Sequence, residues 1–309
     1  MPFWLYRPLV RRAQDILATA GDWFARPATP AQTALAVRLR EELRALSVDA
    51  REQLPFWQSI TDRMRQHAEN GDPLYFMRWP EIAATMVNDT TPFAVEAYRQ
   101  LRRAPEWRER WRPAITHPNF GHGPPFLPNP RTNANTVMHA AHLRRFRRET
   151  GRDLLECACI AEFGGGFGSM CRLTARLGLR GRYVIFDLPP ILALQRYFLG
   201  LHGIEAGYEA DGRVVLTSDL DAVAAAIVPG TALMSTWALS EMPLALRARI
   251  ETLLRDDRAA AVLLAYQHAF EGIDNIVYFQ DLMRRNDDLW AWRKIAIDSG
   301  SDYVFGVRR

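Results

Sequence analysis

The pattern of apolar and polar positions changes once along the chain, near residue 150. Before that point apolar residues recur at helical spacing among arginines and glutamates. Residues 31–46 and 92–101 read as helices, with Pro30 and Pro92 where a helix start tolerates proline. Between them GDPLYFMRWPEIAATM (71–86) is rich in aromatics and broken by two prolines, more a wall than a regular element. Residues 116–136 hold five prolines and no periodicity, and a segment of that length inside a compact protein reads as a lid or binding loop. A basic helix follows over 137–150, with Gly151 in the C′ position.

From residue 154 the pattern alternates. The strand CACIAEF is followed by the glycine turn GGGFGSM and a helix over 171–179. The strand RYVIFDL precedes a helix over 190–202. Strands over 213–217, 231–239 and 260–267 alternate with helices over 223–227, 243–254 and 275–285. WRKIAID and DYVFGVRR then close the chain with no helix between them, which predicts an antiparallel edge hairpin. Alternating strand and helix means an α/β fold, a parallel sheet with helices on both faces. The expected organisation is a mainly helical N-terminal extension over 1–135, including the lid loop, and an α/β domain over 136–309.

Composition narrows the class. At 309 residues, with 48% hydrophobic and 24% charged residues, the chain has globular balance, which excludes a disordered or fibrous protein. No apolar run approaches a membrane span, and MPFWLYRPLVRR lacks a signal cleavage site. Cys157, Cys159 and Cys171 are odd in number and lack a ligand-spaced histidine pair, so neither a disulfide framework nor a zinc site is expected. The expectation is a soluble, reduced, cytoplasmic protein.

Charge is uneven. Ten arginines lie between Arg102 and Arg148 against only Glu106 and Glu109, which leaves the remainder slightly acidic. Such an excess either forms a solvated helical face or steers an anionic partner. Arg144, Arg145, Arg147 and Arg148 flank the lid loop and are expected to help capture an anionic acceptor. The first two dozen residues mix Phe3, Trp4, Leu5, Leu9, Val10, Ile16, Leu17, Trp23 and Phe24 with Arg7, Arg11 and Arg12. That composition suits a helix packed on the core or on a homodimer partner, or one lying at the inner face of a membrane.

The glycine turn carries the sharpest chemistry. Glu162-Phe-Gly164-Gly165-Gly166-Phe-Gly168 follows the first strand and opens a helix, where glycines let a backbone approach a ligand at the carboxyl end of the sheet. The nicotinamide fingerprint G-x-G-x-x-G would place its third glycine at residue 169, which is Ser169. The spacing E-x-G-G-G-x-G is instead that of S-adenosylmethionine (SAM) sites, where no pyrophosphate must be cradled. Asp187 ends the second strand, where a carboxylate can accept hydrogen bonds from both ribose hydroxyls.

AEFGGGFGSMCRLTARL followed by YVIFDLPPILALQRYFL resembles the sugar O-methyltransferases, a bacterial group within the class I SAM-dependent methyltransferase superfamily. The "FDLP" is also similar to plant small-molecule O-methyltransferases. The resemblance is specific over about residues 154–267 and looser upstream. It implies a Rossmann-like seven-stranded core, SAM as methyl donor and a sugar hydroxyl as acceptor, in a glycan, glycolipid or glycosylated small molecule. By position it assigns Glu162, Gly164, Gly165, Gly166, Gly168, Asp187, Leu188, Ser218, Asp219 and Trp237 to the cofactor.

A sugar hydroxyl is a poor nucleophile and benefits from a base as its proton leaves. Glu241, in the LSEMP run after the fourth strand, follows the family's "SE" pattern and is the first candidate; His268, after the fifth strand, is the second. His122, Asn133, His139, His142 and Arg145 are candidate acceptor contacts. No converging acids follow strands four and five, so no metal is assigned. Asp187-Leu-Pro-Pro190 is similar to the D-P-P-Y motif of amino methyltransferases but stands after the wrong strand, so nucleobase methylation is disfavoured and no nucleic acid partner is expected. The alternatives are a phenolic or other non-sugar acceptor, a nicotinamide oxidoreductase, or a non-catalytic SAM-fold binding module.

Overall fold

Strand β1 (Cys159–Phe163) is buried at every position, as a parallel strand covered on both faces must be. The computed structural model describes residues 3–23, 27–46 and 54–309. β1 pairs in parallel with β2 (Arg182–Phe186) and β4 (Thr231–Thr236), β2 with β3 (Val214–Thr217), and β4 with β5 (Ala259–Gln267). A short hairpin, β6 (Ala269–Phe270) with β7 (Ile273–Asp274), stands apart from the main sheet. The chain closes with β8 (Trp290–Asp298) and β9 (Ser301–Arg308), and the main sheet runs β3-β2-β1-β4-β5-β9-β8. The expected antiparallel hairpin is present, with β9 inserted between β5 and β8. Charged Arg293 and Lys294 stand exposed on that outer strand, which discourages edge-to-edge pairing. This is the Rossmann-like α/β fold. The order reverses between β1 and β4, and in such sheets ligands enter the crevice beyond the carboxyl ends at that reversal.

The N-terminal part is helical: α1 (Phe3–Trp23), α2 (Pro30–Ala45), α3 (Pro55–Asn70), α4 (Pro80–Thr85), α5 (Pro92–Arg102), α6 (Arg112–Ile115) and α7 (Ala134–Thr150). Proline opens several of them, because its missing N–H is unpaired there in any case. Thr29 caps α2 in a reciprocal capping box with Gln32, and Gly151 ends α7 in the left-handed region. Between the strands run α8 (Ser169–Arg176), α9 (Pro189–Leu201), α10 (Leu220–Ala226), α11 (Leu244–Thr252) and α12 (Asn275–Arg285).

The helical part shares its core with the sheet. Phe126, Val137 and Phe146 pack in one cluster with Ile160, Leu263 and Phe305. The aromatic stretch 71–86 forms a 3-10 turn and α4, and buries Phe76 edge-on against Phe167 and the α9 side chains Tyr197 and Phe198. The proline-rich loop joins this packing. Phe126 is fully buried against Tyr98, and Gly121 and Gly123 lie against Phe76 and Met77.

On α1, Val10 and Gln14 are buried, and Gln14 donates to Thr90 and to the Pro125 carbonyl. Leu9, Ile16 and Leu17 are exposed. Phe3, Trp4, Leu5, Arg7, Trp23 and Phe24, named for the membrane or dimer reading, have side chains outside the described residues. Among the described residues no helix is long and apolar enough to cross a membrane.

Phe76→Ala should cost about 3–5 kcal/mol, the usual loss for a buried phenylalanine. A lower urea midpoint in a single transition is expected. Loss of helix in a separate early transition would show that the N-terminal helices do not share this core.

Candidate functional site

A cavity of about 930 Å³ opens at the carboxyl ends of β1, β2 and β4. Its floor is the glycine turn. Gly164, Gly166 and Gly168 all have left-handed backbone. A side chain on Gly164 would land 1.9 Å from the Cβ of Ala238, whereas one on Gly166 would meet no protein atom within 4 Å. Gly166 therefore leaves its space to the cavity.

Asp187 closes the turn from the neighbouring strand. Its Oδ2 accepts from the Gly165 N–H (2.9 Å) and from Gln195 Nε2 (2.8 Å), and Oδ1 accepts from the Leu188 N–H (2.9 Å). Gln195 Nε2 also donates to the Gly166 carbonyl at 2.9 Å, so one amide braces both halves of the turn. Glu162 lies beneath, with Oε2 accepting from the Tyr183 hydroxyl at 2.8 Å. Burial pushes the Glu162 carboxyl up to about 8, against the Tyr183 hydrogen bond, and that of Asp187 up to about 7 against its three donors. Both acids are poised for a ligand that brings hydrogen-bond donors or positive charge.

The far wall comes from after β4. Trp237 has φ 76°, strained for a bulky residue, and its N–H donates to the Ala265 carbonyl at 2.7 Å. Glu241 follows, with Oε1 accepting from Gln267 Nε2 (2.8 Å) and Oε2 from Trp57 Nε1 (3.1 Å). Burial raises its pKa against these two donors. Leu188, Ser218 and Asp219 line the end beyond β2 and β3, and Asp219 also caps α10. The cover comes from Leu54 and Trp57, from the 85–94 stretch, and from Asn135, Met138, His139 and His142 of α7. Burial holds His139 and His142 neutral, near 3 and 4, and His142 Nδ1 meets the Tyr303 hydroxyl.

The structure thus brings Glu162, Gly164, Gly165, Gly166, Asp187, Leu188, Ser218, Asp219, Trp237, Glu241, His139 and His142 around one cavity. Five expectations need correcting. His268 does not line it: side chains alternate along a strand, so Gln267 reaches Glu241 while His268 shares the opposite face with Tyr266 and meets Asp302 at 3.2 Å. Gly168 stands behind the turn, against Leu199. His122 stacks on Tyr75 away from the cavity. Asn133 caps α7, accepting from the Thr136 N–H. Arg145 pairs with Glu149.

Of the expected lid, residues 116–136, only Asn135 lines the cavity, and it stands on the first turn of α7 rather than in the proline-rich loop. Nor do the lid-flanking arginines reach it: Arg147 pairs with Glu106 and Arg148 with Glu149. Among the described residues five acids line the cavity (Glu162, Asp187, Asp219, Glu241 and Asp298) against one cation, Arg249. Among the described residues no group of three histidine, cysteine or acidic side chains is arranged to hold a metal ion. Trp57, Gln195, Gln267 and Tyr183 were missed by sequence reasoning, since each acts on a partner distant in the chain.

No protein-family model and no curated protein sequence matches the chain. Among solved structures it is similar to a SAM-dependent methyltransferase from Aquifex aeolicus, at 11% identity and TM-score 0.40 over 69% of this chain and 98% of that one. Magnesium protoporphyrin IX methyltransferase from Synechocystis PCC 6803, solved with bound SAM, is similar at 11% identity and TM-score 0.39, over 70% and 97%. An O-methyltransferase family protein from Burkholderia thailandensis is similar at 13% identity and TM-score 0.39, over 57% and 60%. Likeness at this level assigns no activity to this chain.

A carboxyl whose pKa is raised in the folded state favours folding fully below its unfolded value and loses that contribution as pH rises through the folded one. For Glu162 that window runs from 4.5 to about 8. The stability of ligand-free Glu162→Gln relative to the parent should therefore rise from about pH 5 to about pH 8 and level off above, in urea titrations at fixed pH. A pH-independent difference would mean that Glu162 ionises as freely folded as unfolded.

Proposed function

We propose that the protein is a SAM-dependent O-methyltransferase with a sugar hydroxyl as acceptor. The observation that carries this reading is the convergence of the left-handed glycine turn, Glu162 and Asp187 on one cavity at the sheet's reversal point. The residues fit that donor. Asp187 retains lone-pair capacity for ribose hydroxyls beyond its three internal donors. Glu162 suits an ammonium group, and the open space at Gly166 admits ligand against the backbone. Among the described residues the lining offers one cation, Arg249, which leaves a pyrophosphate-bearing dinucleotide little counter-charge. At about 930 Å³ the cavity lies near the top of the range for ligand sites, which leaves room for an acceptor beside the donor.

When bound, the donor supplies a sulfonium methyl group for in-line displacement. The chain's part is to position the acceptor and take its proton. Glu241 is fixed by Trp57 and Gln267, and burial makes it a stronger base than a surface carboxylate. As the new C–O bond forms, the acceptor's hydroxyl proton passes to this carboxylate. Trp57, Trp237, Phe93 and Met138 offer apolar faces, and neutral His139 and His142 offer hydrogen-bonding edges. That pairing suits a ring with one apolar face and hydroxyls around its rim.

Calorimetric titration with S-adenosylhomocysteine tests the donor. Binding is expected, and none at millimolar ligand would overturn the reading. Gly166→Val should abolish binding. Asp187→Asn should weaken it about tenfold or more, since a hydrogen bond to a charged group is worth about 1.5–3 kcal/mol. In methyl transfer from labelled SAM to a glycan panel, Glu241→Gln should lower kcat much more than it lowers S-adenosylhomocysteine affinity. A loss of only a few-fold would make catalysis positional and remove Glu241 as the base.

A further inference from the structure

Among the described residues two arginines are almost fully buried, and they differ in how they are satisfied. Arg247 donates from Nε to the Met242 carbonyl (2.8 Å), from Nη1 to Asn275 Oδ1 (2.7 Å) and from Nη2 to the Ser240 carbonyl (2.5 Å). Arg172, on α8, is 1% exposed. Among the described residues its guanidinium makes one long contact, 3.4 Å from Nη2 to Thr136 Oγ1, and its Nε has no partner. Its charged neighbour is another cation, Arg176, and burial lowers its pKa only to about 10, so it stays protonated at neutral pH. His117, His139 and His202 nearby are each held neutral near 3, by burial first and by the charge of Arg172 in addition. A positive charge is therefore buried where α7 meets α8, and among the described residues no acid stands beside it.

Further polar atoms around Arg172 lack partners among the described residues: His202 Nε2, Ser169 Oγ and His139 Nδ1, of which the last two belong to cavity-lining residues. Ser169 precedes Arg172 by one turn on the same face of α8, is 2% exposed, lines the cavity, and has an unpaired Oγ. His139 follows Thr136 by one turn on α7, lines the cavity, and has an unpaired Nδ1. Buried polar groups left unpaired in this way mark the place of a missing partner. A serine hydroxyl can donate, His139 Nδ1 donates in the tautomer that carries its proton there, and a guanidinium charge lies behind them. An anion small enough to enter beside the glycine turn would satisfy all three.

We propose that Ser169, His139 and Arg172 form a carboxylate subsite at the α7–α8 end of the cavity, and that it takes the carboxylate of the donor's amino-acid end. This rests on SAM being the donor. Ser169 and His139 contact the carboxylate, and Arg172 acts from behind them as the counter-charge. Glu162, the buried acid beneath the turn, then faces the ammonium of the same zwitterion, so the two ends of the ligand meet opposite charges in an otherwise acidic cavity.

The test compares S-adenosylhomocysteine with its decarboxylated analogue, S-adenosyl-3-thiopropylamine, by calorimetry on the parent, Ser169→Ala and Arg172→Met. The parent should bind the carboxylated ligand at least tenfold more tightly. Ser169→Ala should reduce that ratio several-fold, and Arg172→Met should bring it close to one. Removing a buried charge that has no protein counter-ion should leave the ligand-free thermal midpoint of Arg172→Met unchanged or higher. If that variant does not fold, Ser169→Ala decides the question alone. A ratio unchanged in the variants that fold, or a ratio near one in the parent, overturns the subsite. Failure of both ligands to bind the parent overturns the donor reading instead.

Discussion

The carboxylate of Asp187 ties the site together before any ligand arrives. It spans the crevice from the end of β2 to the glycine turn after β1, accepting from the Gly165 and Leu188 N–H groups and from Gln195. Gln195 in turn donates to the Gly166 carbonyl, so the left-handed turn is clamped at both of its inner residues. Donors that would otherwise stand unpaired beside a cavity are satisfied, and the acid is held in a place that raises its pKa to about 7. A group in that condition gains from each added donor. The constraint that shapes the empty turn therefore also sets what the turn will bind.

Charge placement extends the same logic outward. The chain carries an excess of cations, yet among the charged residues described in its cavity lining acids outnumber cations. Of the arginines gathered before residue 150, Arg110, Arg145, Arg147 and Arg148 pair with Glu106, Glu149 and Asp153. Overall charge thus says little about the ligand, because paired surface arginines act weakly across a screened distance. The N-terminal helices complete the wall through Trp57, whose indole N–H reaches Glu241. Helical cover and sheet are joined at the atom expected to take the proton.

The part of the cavity around the glycine turn was legible in sequence because it is local. Strand, glycine turn, helix, strand and Asp187 follow one another within thirty or so residues, and their spacing states their geometry. The wall around Glu241 was not, because its contacts join distant parts of the chain, as with Trp57 and Glu241. His268 was misplaced by one position. Alternation along β5 turns Gln267 toward Glu241 and His268 away, and a sequence does not show on which residue a strand will end. The proline-rich loop looked like a cover because it lacked periodicity. Its apolar residues, Phe126 above all, are instead used in the core between α5 and α7.

The central claim is that the crevice beside Asp187 is a nucleoside site. A crystal structure of the protein with S-adenosylhomocysteine tests it most directly. The account predicts the ribose hydroxyls at hydrogen-bond distance, about 2.6–3.0 Å, from the Asp187 carboxylate, with the amino-acid end over Gly166. Adenosine density outside the cavity, or a ribose held by another residue while Asp187 keeps only its three internal donors, would contradict it.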